Sequence, residues 1–412
     1  MFLGSHISSD SSRVLGTDTT RTPRRKIAYL TVKDPADRGS WSGTQYYMAQ
    51  TLQLHCGDVT PIGPIRPASL PLKKALRKAM RAMGKNYLFT HSVAFANETA
   101  RIAEQRLAEA QFDLIFAPAG SAQVAYLKTS VPIVYLSDAT FSAILNYYPE
   151  FSGISQSMIH QANTIEQLAI DRARLVIYSS SWAAESARKD YGAEPEKVHV
   201  VPFGANLDQP PPAERVLNQR DSEVCKLLFV GVSWTKKGGD IALEALAALE
   251  RLGVPAELTI VGCTPPRRIA RENLRVFRTL NKNVAEERRQ LETLYLESDF
   301  FLLPTRADCS PIVLCEAAAF GLPSISTDTG GVSEIIRNGE NGFLLPPSAR
   351  GIDYARVIAE TYADKRKLQQ MRICSRRSYD RQLNWDAWGR SVAGILAKLD
   401  EASPVPRAEI IS

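Results

Sequence analysis

At 412 residues, with 44% hydrophobic and 23% charged residues, the chain has the composition of a globular protein of two or three domains. The formal net charge of +6 suits phosphate-bearing ligands, anionic lipid and nucleic acid equally, so it selects none of them. No apolar run approaches the ~18–20 residues of a membrane span. Six cysteines without a CxxC pair indicate reduced core thiols in a reducing compartment and argue against a zinc site.

The first 25 residues are rich in Ser, Thr and Arg. They lack the apolar stretch of roughly 7–15 residues that a secretory signal needs. We therefore expect residues 1–25 to form a disordered tail rather than a targeting peptide.

From Lys26 onwards, short β-branched runs alternate with helical patterns. Strands are predicted at 26–32, 112–118, 131–137 and 174–180, and helices at 44–54 and 181–192. A βαβ rhythm of this kind predicts a parallel sheet covered by helices on both faces.

A polar, proline-rich stretch at 202–215 is typical of a linker, and the alternation then restarts. Strands are predicted at 226–232, 256–262, 299–304 and 323–328, and helices at 239–253, 286–298, from Pro311 and at 332–338. Two α/β halves predict a cleft at the carboxyl ends of their strands, where open parallel sheets bind ligands.

The segment 299–346 carries the densest chemical signal. Ser310 is expected to cap a helix whose first residue is Pro311, and the free amides of Ile312 and Val313 would then form an anion site. Asp308 precedes this helix, and Glu316 lies within it among apolar residues. A carboxylate in that position needs a partner: ribose hydroxyls are one candidate and a neighbouring basic side chain is the other. For Asp308, the alternative to a ligand contact is a plain helix cap.

This segment resembles the signature of the family 4 glycosyltransferases, retaining enzymes of the GT-B fold. Their two glutamates, separated by seven residues, are matched by Asp308 and Glu316. The resemblance covers most of the chain and is densest at 226–346. It implies that Glu316 holds the donor ribose and that Asp308 lies by the donor sugar and phosphates.

The resemblance also implies an α/β architecture of two Rossmann-like domains that face a central cleft. We assign residues 26–203 to an acceptor domain and 204–381 to a nucleotide-sugar donor domain. A C-terminal helix at 382–400 is expected to return to the first domain.

A second group of candidate site residues lies at the carboxyl end of the strand predicted at 226–232, next to Gly231. Lys236 and Lys237 lie in the next loop, where they would neutralise a diphosphate leaving group. The family usually has an arginine just after the glycine, but this chain has Val232, and we expect Lys236 to substitute for it. The alternative is that both lysines are solvated surface residues.

In the first half, Gly43 lies in the first strand-to-helix turn, which in this family overhangs the donor phosphates or the acceptor; the alternative is a plain tight turn without a ligand contact. Asp138 follows the strand at 131–137, where family members often have a polar residue near the reacting sugar. Tyr147 and Tyr148 are expected to be packing residues.

The stretch 70–87 predicts an amphipathic helix with a basic face, and no acidic residue occurs between Asp58 and Glu98. Two interpretations stay open: peripheral contact with an anionic membrane, or a helix that packs on the protein by its apolar face.

Taken with the resemblance, these residues predict a retaining hexosyltransferase of the cytoplasm or its inner membrane face. It would move a hexose-type sugar from a nucleotide-sugar donor to a glycan, lipid-linked or small-molecule acceptor, in surface polysaccharide or glycoconjugate synthesis. No strand end carries a DxD pair, so neither a metal nor another cofactor is expected. Nucleic acid is not expected as a partner, since no recognised binding module is present. The alternatives are a glycoside phosphorylase on the same fold and a non-catalytic nucleotide-sugar-binding subunit.

Overall fold

The computed structural model describes residues 24–218, 222–267 and 269–401. Except for Arg24 and Arg25, the predicted tail therefore lies outside the described residues. The described residues form two parallel sheets that are covered by helices.

The first sheet has the strand order β2-β1-β3-β4-β5-β6, and every neighbouring pair is parallel. Its strands are β1 (Lys26–Tyr29), β2 (Asp58–Pro61), β3 (Leu114–Pro118), β4 (Ile133–Ser137), β5 (Leu175–Tyr178) and β6 (Val198–Val200). The helices of this half are α1 (Thr44–His55), α2 (Leu70–Ala82), α3 (Val93–Leu107), α4 (Ser121–Val124), α5 (Phe141–Ile144), α6 (Gln156–Arg172) and α7 (Ser181–Tyr191). The central strands β3 and β4 are buried throughout, as expected for a sheet covered on both faces.

The second sheet has the order β12-β11-β10-β7-β8-β9 and is also parallel throughout. Its strands are β7 (Cys225–Val230), β8 (Ala256–Val261), β9 (Leu274–Phe277), β10 (Phe300–Leu303), β11 (Ser324–Thr327) and β12 (Gly342–Leu345). The remaining helices are α8 (Ala213–Leu217), α9 (Trp234–Lys237), α10 (Gly239–Arg251), α11 (Ala285–Glu297), α12 (Ile312–Ala319), α13 (Gly351–Ala363), α14 (Lys365–Arg381) and α15 (Trp385–Glu401). The α/β class with two Rossmann-like halves is confirmed.

The last helix, α15, packs against the first half of the chain. Trp388 is 1% exposed and meets Phe116 of β3 edge-on, with 6.2 Å between the ring centroids. The Trp385 ring stacks on Tyr47 of α1, with 6.4 Å between the ring centroids, and its indole N–H donates to Asn206 Oδ1 at 2.9 Å. The C-terminal segment is therefore held to the first half by two buried tryptophans.

The packing of helix α2 differs from the expectation for an amphipathic helix. No residue of the helix is buried, and Leu72, Leu76 and the following Met83 are 75%, 45% and 62% exposed. The inward side of the helix is mixed: Leu70 and Met80 are half-buried, and Lys73 Nζ lies 3.1 Å from the Glu98 carboxylate. The interpretation in which the helix packs by its apolar face is therefore met only in small part, because Leu72, Leu76 and Met83 of that face are exposed. None of the described helices is long and apolar enough to cross a bilayer.

Two segments near the second sheet have a secondary structure other than the predicted one. Residues 332–338 were expected to be a short helix, but only Val332–Glu334 form a single 3-10 turn. Lys236 and Lys237 were expected in a loop, but they lie on the one-turn helix α9, which ends because Gly238 adopts φ 75°. Left-handed backbone at low cost is the property that glycine supplies at such a helix end.

Substitution of Gly238 tests the close contact between the end of α9 and the backbone at Pro304. A Cβ there would lie 1.9 Å from the Pro304 carbonyl oxygen, whereas a Cβ at Gly253, which has a similar φ of 73°, meets nothing within 4 Å. We expect Gly253→Ala to cost about 1–2 kcal/mol, the ordinary penalty of the left-handed region. Gly238→Ala should cost about 4 kcal/mol or more because the backbone has to move. Thermal unfolding followed by circular dichroism compares the two variants, and equal losses in Tm would contradict the packing described here.

Candidate functional site

A cleft of about 840 Å³ lies between the two sheets and takes residues from both halves. The loop after β1 contributes Arg38 and Gly43, and the connection after β6 contributes Asn206. The second half contributes residues that follow the carboxyl ends of its strands or lie on α12: Gly231, Lys237, Gly262, Lys282, Asp308, Ser310, Ile312, Val313 and Glu316. The structure thus brings most of the sequence-predicted site residues into one cavity.

Glu316 is the buried acid of this cleft. It has no exposed surface, and it lies on the second turn of α12. Its carboxylate pairs with Lys282 Nζ and accepts a hydrogen bond from the Tyr295 hydroxyl at 3.2 Å. Burial, together with the nearby Glu316 carboxylate, raises the pKa of Tyr295, so its phenol remains a proton donor. The basic-partner alternative therefore describes Glu316 in the unliganded chain, and a ribose would have to displace or share that partner.

The start of α12 differs by one residue from its prediction. Pro311 has an extended ψ of 91° and stands outside the helix, whose first residue is Ile312, and no side chain caps it. Ser310 lines the cleft but is not the cap, because the extended Pro311 separates it from the helix. The amides of Ile312 and Val313 are the first two of the helix, so no preceding turn supplies their acceptors. Both residues line the cleft, as an anion site requires.

Lys237 and Asp308 form an ion pair within the same lining. A Cβ added at Gly231 would lie 2.9 Å from Cγ of Lys237, so the glycine lets the lysine stem cross the end of β7. Asp308 is 7% exposed and follows β10 through Pro304 and three further residues. Opposite charges thus meet where β7 and β10, which are neighbours in the sheet, both end.

Lys236 points elsewhere. Its Nζ lies 3.2 Å from Glu150 Oε1 and 3.7 Å from the centroid of the Tyr148 ring, and it is not among the residues that line the cleft. The expectation that Lys236 substitutes for a cation at the position of Val232 is not met by this geometry, because Glu150 of the first half draws it away. Val232 itself is 87% exposed.

Tyr147 and Tyr148 connect the two halves rather than only pack. The Tyr147 hydroxyl accepts from the Asp308 amide at 2.9 Å and lies 2.8 Å from Thr329 Oγ1. The Tyr148 hydroxyl accepts from the Cys309 amide at 3.0 Å. These bonds could not be predicted from the sequence, since no sequence pattern places residues 147–148 beside 308–309.

Gly43 and Asp138 lie on the first half. Gly43 adopts φ 90° and follows two left-handed residues, Trp41 and Ser42, so the loop makes a tight turn into α1. Asp138 is not among the residues that line the cleft, and it accepts a hydrogen bond from Trp41 Nε1 at 3.2 Å. Burial raises the pKa of Asp138 from its ordinary value of 3.8 to about 6.

Several polar residues of the site were missed by sequence reasoning. Lys282 lies in a polar loop without an apolar pattern, and Tyr295 lies on a helix whose pattern predicts only packing. Beside Glu316, Asp208 pairs with Arg38 at 2.9 Å and lies 3.7 Å from Arg288. These residues come from three separate segments of the chain, so no local motif contains them. No group of three potential metal ligands occurs among the described residues.

Asp138 makes the stability of the chain depend on pH. Its raised pKa means that the folded chain binds this proton more tightly than the unfolded chain does. The charged carboxylate therefore lowers the free energy of unfolding, and this loss is absent below about pH 4 and complete above about pH 6. Asp138→Asn keeps an acceptor for Trp41 and should stabilise the fold at pH 7.5 by up to about 3 kcal/mol, with little effect at pH 4. Thermal unfolding across this pH range measures the difference, and an equal change at both ends would refute it.

Comparison with known proteins agrees with this architecture. A model of the family described as "Glycosyl transferases group 1" matches residues 225–364, and one described as "Glycosyltransferase Family 4" matches residues 46–209. A D-inositol 3-phosphate glycosyltransferase of Jonesia denitrificans is 27% identical over 260 residues, which are 58% of this chain and 60% of that protein. A putative colanic acid biosynthesis glycosyltransferase, WcaL, of Salmonella typhimurium is 26% identical over 60% of this chain and 63% of its own length. The match thus spans about three fifths of the length of these relatives.

Solved structures share the fold at low sequence identity. Sucrose-phosphate synthase of Thermosynechococcus elongatus has a TM-score of 0.67 and 17% identity, covering 92% of this chain and 100% of that one. HepE of Anabaena, solved in complex with UDP-glucose, has a TM-score of 0.60 and 17% identity, with 91% and 100% covered. Because the two family models account for both halves and the fold is that of these GT-B proteins, the chain belongs to the family 4 glycosyltransferases.

Proposed function

We propose that this protein is a retaining glycosyltransferase that moves a hexose-type sugar from a nucleotide-sugar donor to an acceptor. One observation carries the proposal: the buried Glu316 carboxylate, the Lys237 ammonium and the free amides of α12 line a single cleft between two Rossmann-like halves. A carboxylate is suited to ribose hydroxyls, and a cation beside helix-terminal amides is suited to a diphosphate. Nothing in this set of groups calls for a metal or another cofactor.

In the proposed complex, the donor lies on the second half of the chain. Glu316 accepts from the ribose, and the amides of Ile312 and Val313, with Lys237, receive the diphosphate. Ser310, Gly231 and Gly43 line the same cavity and allow the ligand close approach to the backbone. The UDP-glucose complex of the structurally similar HepE supports a nucleotide sugar as the donor.

The reaction places its electrostatic demand on the leaving group. As the glycosidic bond to phosphate breaks, negative charge grows on the diphosphate, and the fixed cation and amides stabilise it. The acceptor attacks from the same face, so the configuration at the sugar is retained, and the departing phosphate takes the acceptor proton. Asp308, held by Lys237, then lies beside the donor sugar. Asp138, through Trp41, belongs to the side from which the acceptor enters.

The bonds from Tyr147 and Tyr148 to the loop after β10 support a closed site. They tie the acceptor-side half to the segment that carries Asp308. Closure of this kind excludes water and limits hydrolysis of the donor.

The acceptor is a glycan, a lipid-linked glycan or a small molecule, and the process is surface polysaccharide or glycoconjugate synthesis. The named function of WcaL supports this class of process. We place the enzyme in the cytoplasm, since its six cysteines are free, as is usual in a reducing compartment.

Donor turnover tests the proposal. Purified protein is incubated with UDP-, GDP-, ADP- and TDP-sugars, and release of the nucleoside diphosphate is followed with and without acceptors and EDTA. Glu316→Gln and Lys237→Ala should each lower the rate by about 10²-fold or more, because each removes an interaction with the donor. Lys128→Ala, an exposed lysine outside the cleft, is the control and should leave the rate unchanged.

Two results would point to other functions. Turnover that needs inorganic phosphate and no nucleotide sugar would identify a glycoside phosphorylase. Binding of a nucleotide sugar without turnover under any condition would identify a non-catalytic subunit. Full activity of both cleft variants would overturn the site assignment itself.

We also propose that helix α2 brings the enzyme to anionic membrane. Leu72, Leu76 and Met83 face outward, and Lys74 and Lys78 are exposed on the same helix. An exposed apolar stripe flanked by lysines is the arrangement that lies in the headgroup region of a bilayer. Because Lys73 and Glu98 hold the inner side of the helix, the outward side is fixed in place.

Vesicle flotation tests this contact. The wild type should bind phosphatidylcholine vesicles that contain about 30% phosphatidylglycerol and not pure phosphatidylcholine, since basic residues need anionic lipid. Leu72→Ser with Leu76→Ser should weaken binding by about tenfold or more through lost apolar burial. Leu54→Ser, at another leucine that is 72% exposed, is the matched control and should bind as the wild type does. Equal binding of all three proteins would contradict the proposal.

A further inference from the structure

Among the residues that the structure describes, three cationic side chains line the cleft, and each one is already paired with a carboxylate. Arg38 pairs with Asp208, Lys237 with Asp308, and Lys282 with Glu316. The diphosphate of a nucleotide sugar adds about two negative charges, so a cation that leaves its carboxylate for the phosphates would strengthen donor binding most. The pair that can do so identifies a donor-binding residue that the sequence did not predict.

Arg38 is the least able to move. Its guanidinium makes two bonds to Asp208, at 2.9 and 3.1 Å, donates to the Tyr46 hydroxyl at 3.0 Å and stacks over that ring. Four contacts to two residues hold its planar group in one orientation. Arg38 therefore shapes the wall of the cleft.

Lys282 is the most able to move. Its side chain is 40% exposed, whereas that of Lys237 is 17% exposed. Its backbone is fixed independently of its ammonium group, since Arg288 Nη1 donates to the Lys282 carbonyl oxygen at 3.2 Å. The four-carbon stem can thus swing while the loop stays in place.

The distance to be covered is short. Glu316, where the ammonium now lies, follows Ile312 by four residues on α12, a rise of about 6 Å along a helix. Lys282 and the helix N-terminus, where the diphosphate is proposed to bind, line the same cavity.

Donor binding would also remove the need for the ion pair between Lys282 and Glu316. Glu316 has no exposed surface, so in the empty cleft its charge requires a partner beyond the Tyr295 hydroxyl. Ribose hydroxyls that donate to Glu316 satisfy this carboxylate and release the lysine. The phosphates attached to that ribose are then the strongest anion nearby.

We propose that Lys282 exchanges between two anions: the Glu316 carboxylate in the empty cleft and the donor diphosphate in the loaded cleft. This inference rests on the proposed function and adds a donor-binding residue to it. It also explains how the cleft receives a diphosphate although Val232 offers no charge and Lys236 is bound to Glu150. Ribose and phosphate recognition are then coupled through one lysine.

Binding of a graded ligand series tests the exchange. Uridine, UMP and UDP, with the guanosine, adenosine and thymidine series in parallel, are titrated calorimetrically into the wild type, and the base that binds is kept. The quantity compared is the ratio of diphosphate affinity to nucleoside affinity. Lys282→Met should lower this ratio by about tenfold or more, because the nucleoside keeps Glu316 while the diphosphate loses its cation.

Two further variants keep the result interpretable. Lys282→Met leaves Glu316 without its cation, so a Lys282→Met/Glu316→Gln double variant supplies a neutral pair that should fold, and its ratio should fall by a similar factor compared with Glu316→Gln alone. Arg278→Met removes an exposed cation of the same loop that does not line the cleft, and it should leave the ratio unchanged.

An unchanged ratio in both Lys282 variants, with nucleotide binding retained, would show that Lys282 is only the counter-ion of Glu316 and would overturn this inference alone. Failure of the wild type to bind any nucleoside diphosphate would overturn the proposed function together with it.

Discussion

A carboxylate without access to water has to be paired, and this constraint organises the cleft. Glu316 lies fully buried on α12, where an unpaired charge would cost several kcal/mol. Tyr295 from α11 and Lys282 from the loop before it meet this demand. The same constraint makes Glu316 selective, because only a ligand that donates hydrogen bonds can replace the lysine without loss. The proposed ribose contact would meet this same requirement of the buried carboxylate.

The two halves of the chain are joined around this cleft by polar contacts. Asp208, just after the first half, receives Arg38 and Tyr47 from one side and approaches Arg288 from the other. At the loop after β10, the Tyr147 and Tyr148 hydroxyls of the first half accept hydrogen bonds from the amides of Asp308 and Cys309. Polar contacts can break and re-form at little net cost. Such walls are suited to a cleft that opens for its substrates and closes over them.

The sequence predicted the interior of the fold better than its edges. β3, β4, β7 and β10 are runs of apolar residues, and burial on both faces gives such strands a strong pattern. β2, β9, β6 and β12 are edge or outer strands of three or four residues, and β2 and β9 have no buried position. Their pairing depends on a neighbouring strand rather than on their own residues, so no local pattern predicted them.

The residues of the candidate site also differ in how far the sequence predicted them. The family resemblance led to Glu316, Lys237 and the start of α12 because these residues lie in contiguous motifs. It misled for Lys236, since Glu150, which draws that lysine out of the cleft, lies in the other half of the chain. No local pattern pairs Lys282 with Glu316, because the two residues are 34 positions apart in the sequence. Contacts between distant segments decide which charges face the ligand.

The most direct measurement is a crystal structure of the protein with the nucleoside diphosphate that it binds. We expect ribose hydroxyls within hydrogen-bonding distance of Glu316, the diphosphate at the amides of Ile312 and Val313 with Lys237 beside it, and the base between the two halves. A nucleotide bound outside the cleft, or one whose phosphates lie at Glu316 and whose ribose makes no contact with it, would show that Glu316 does not hold the donor ribose.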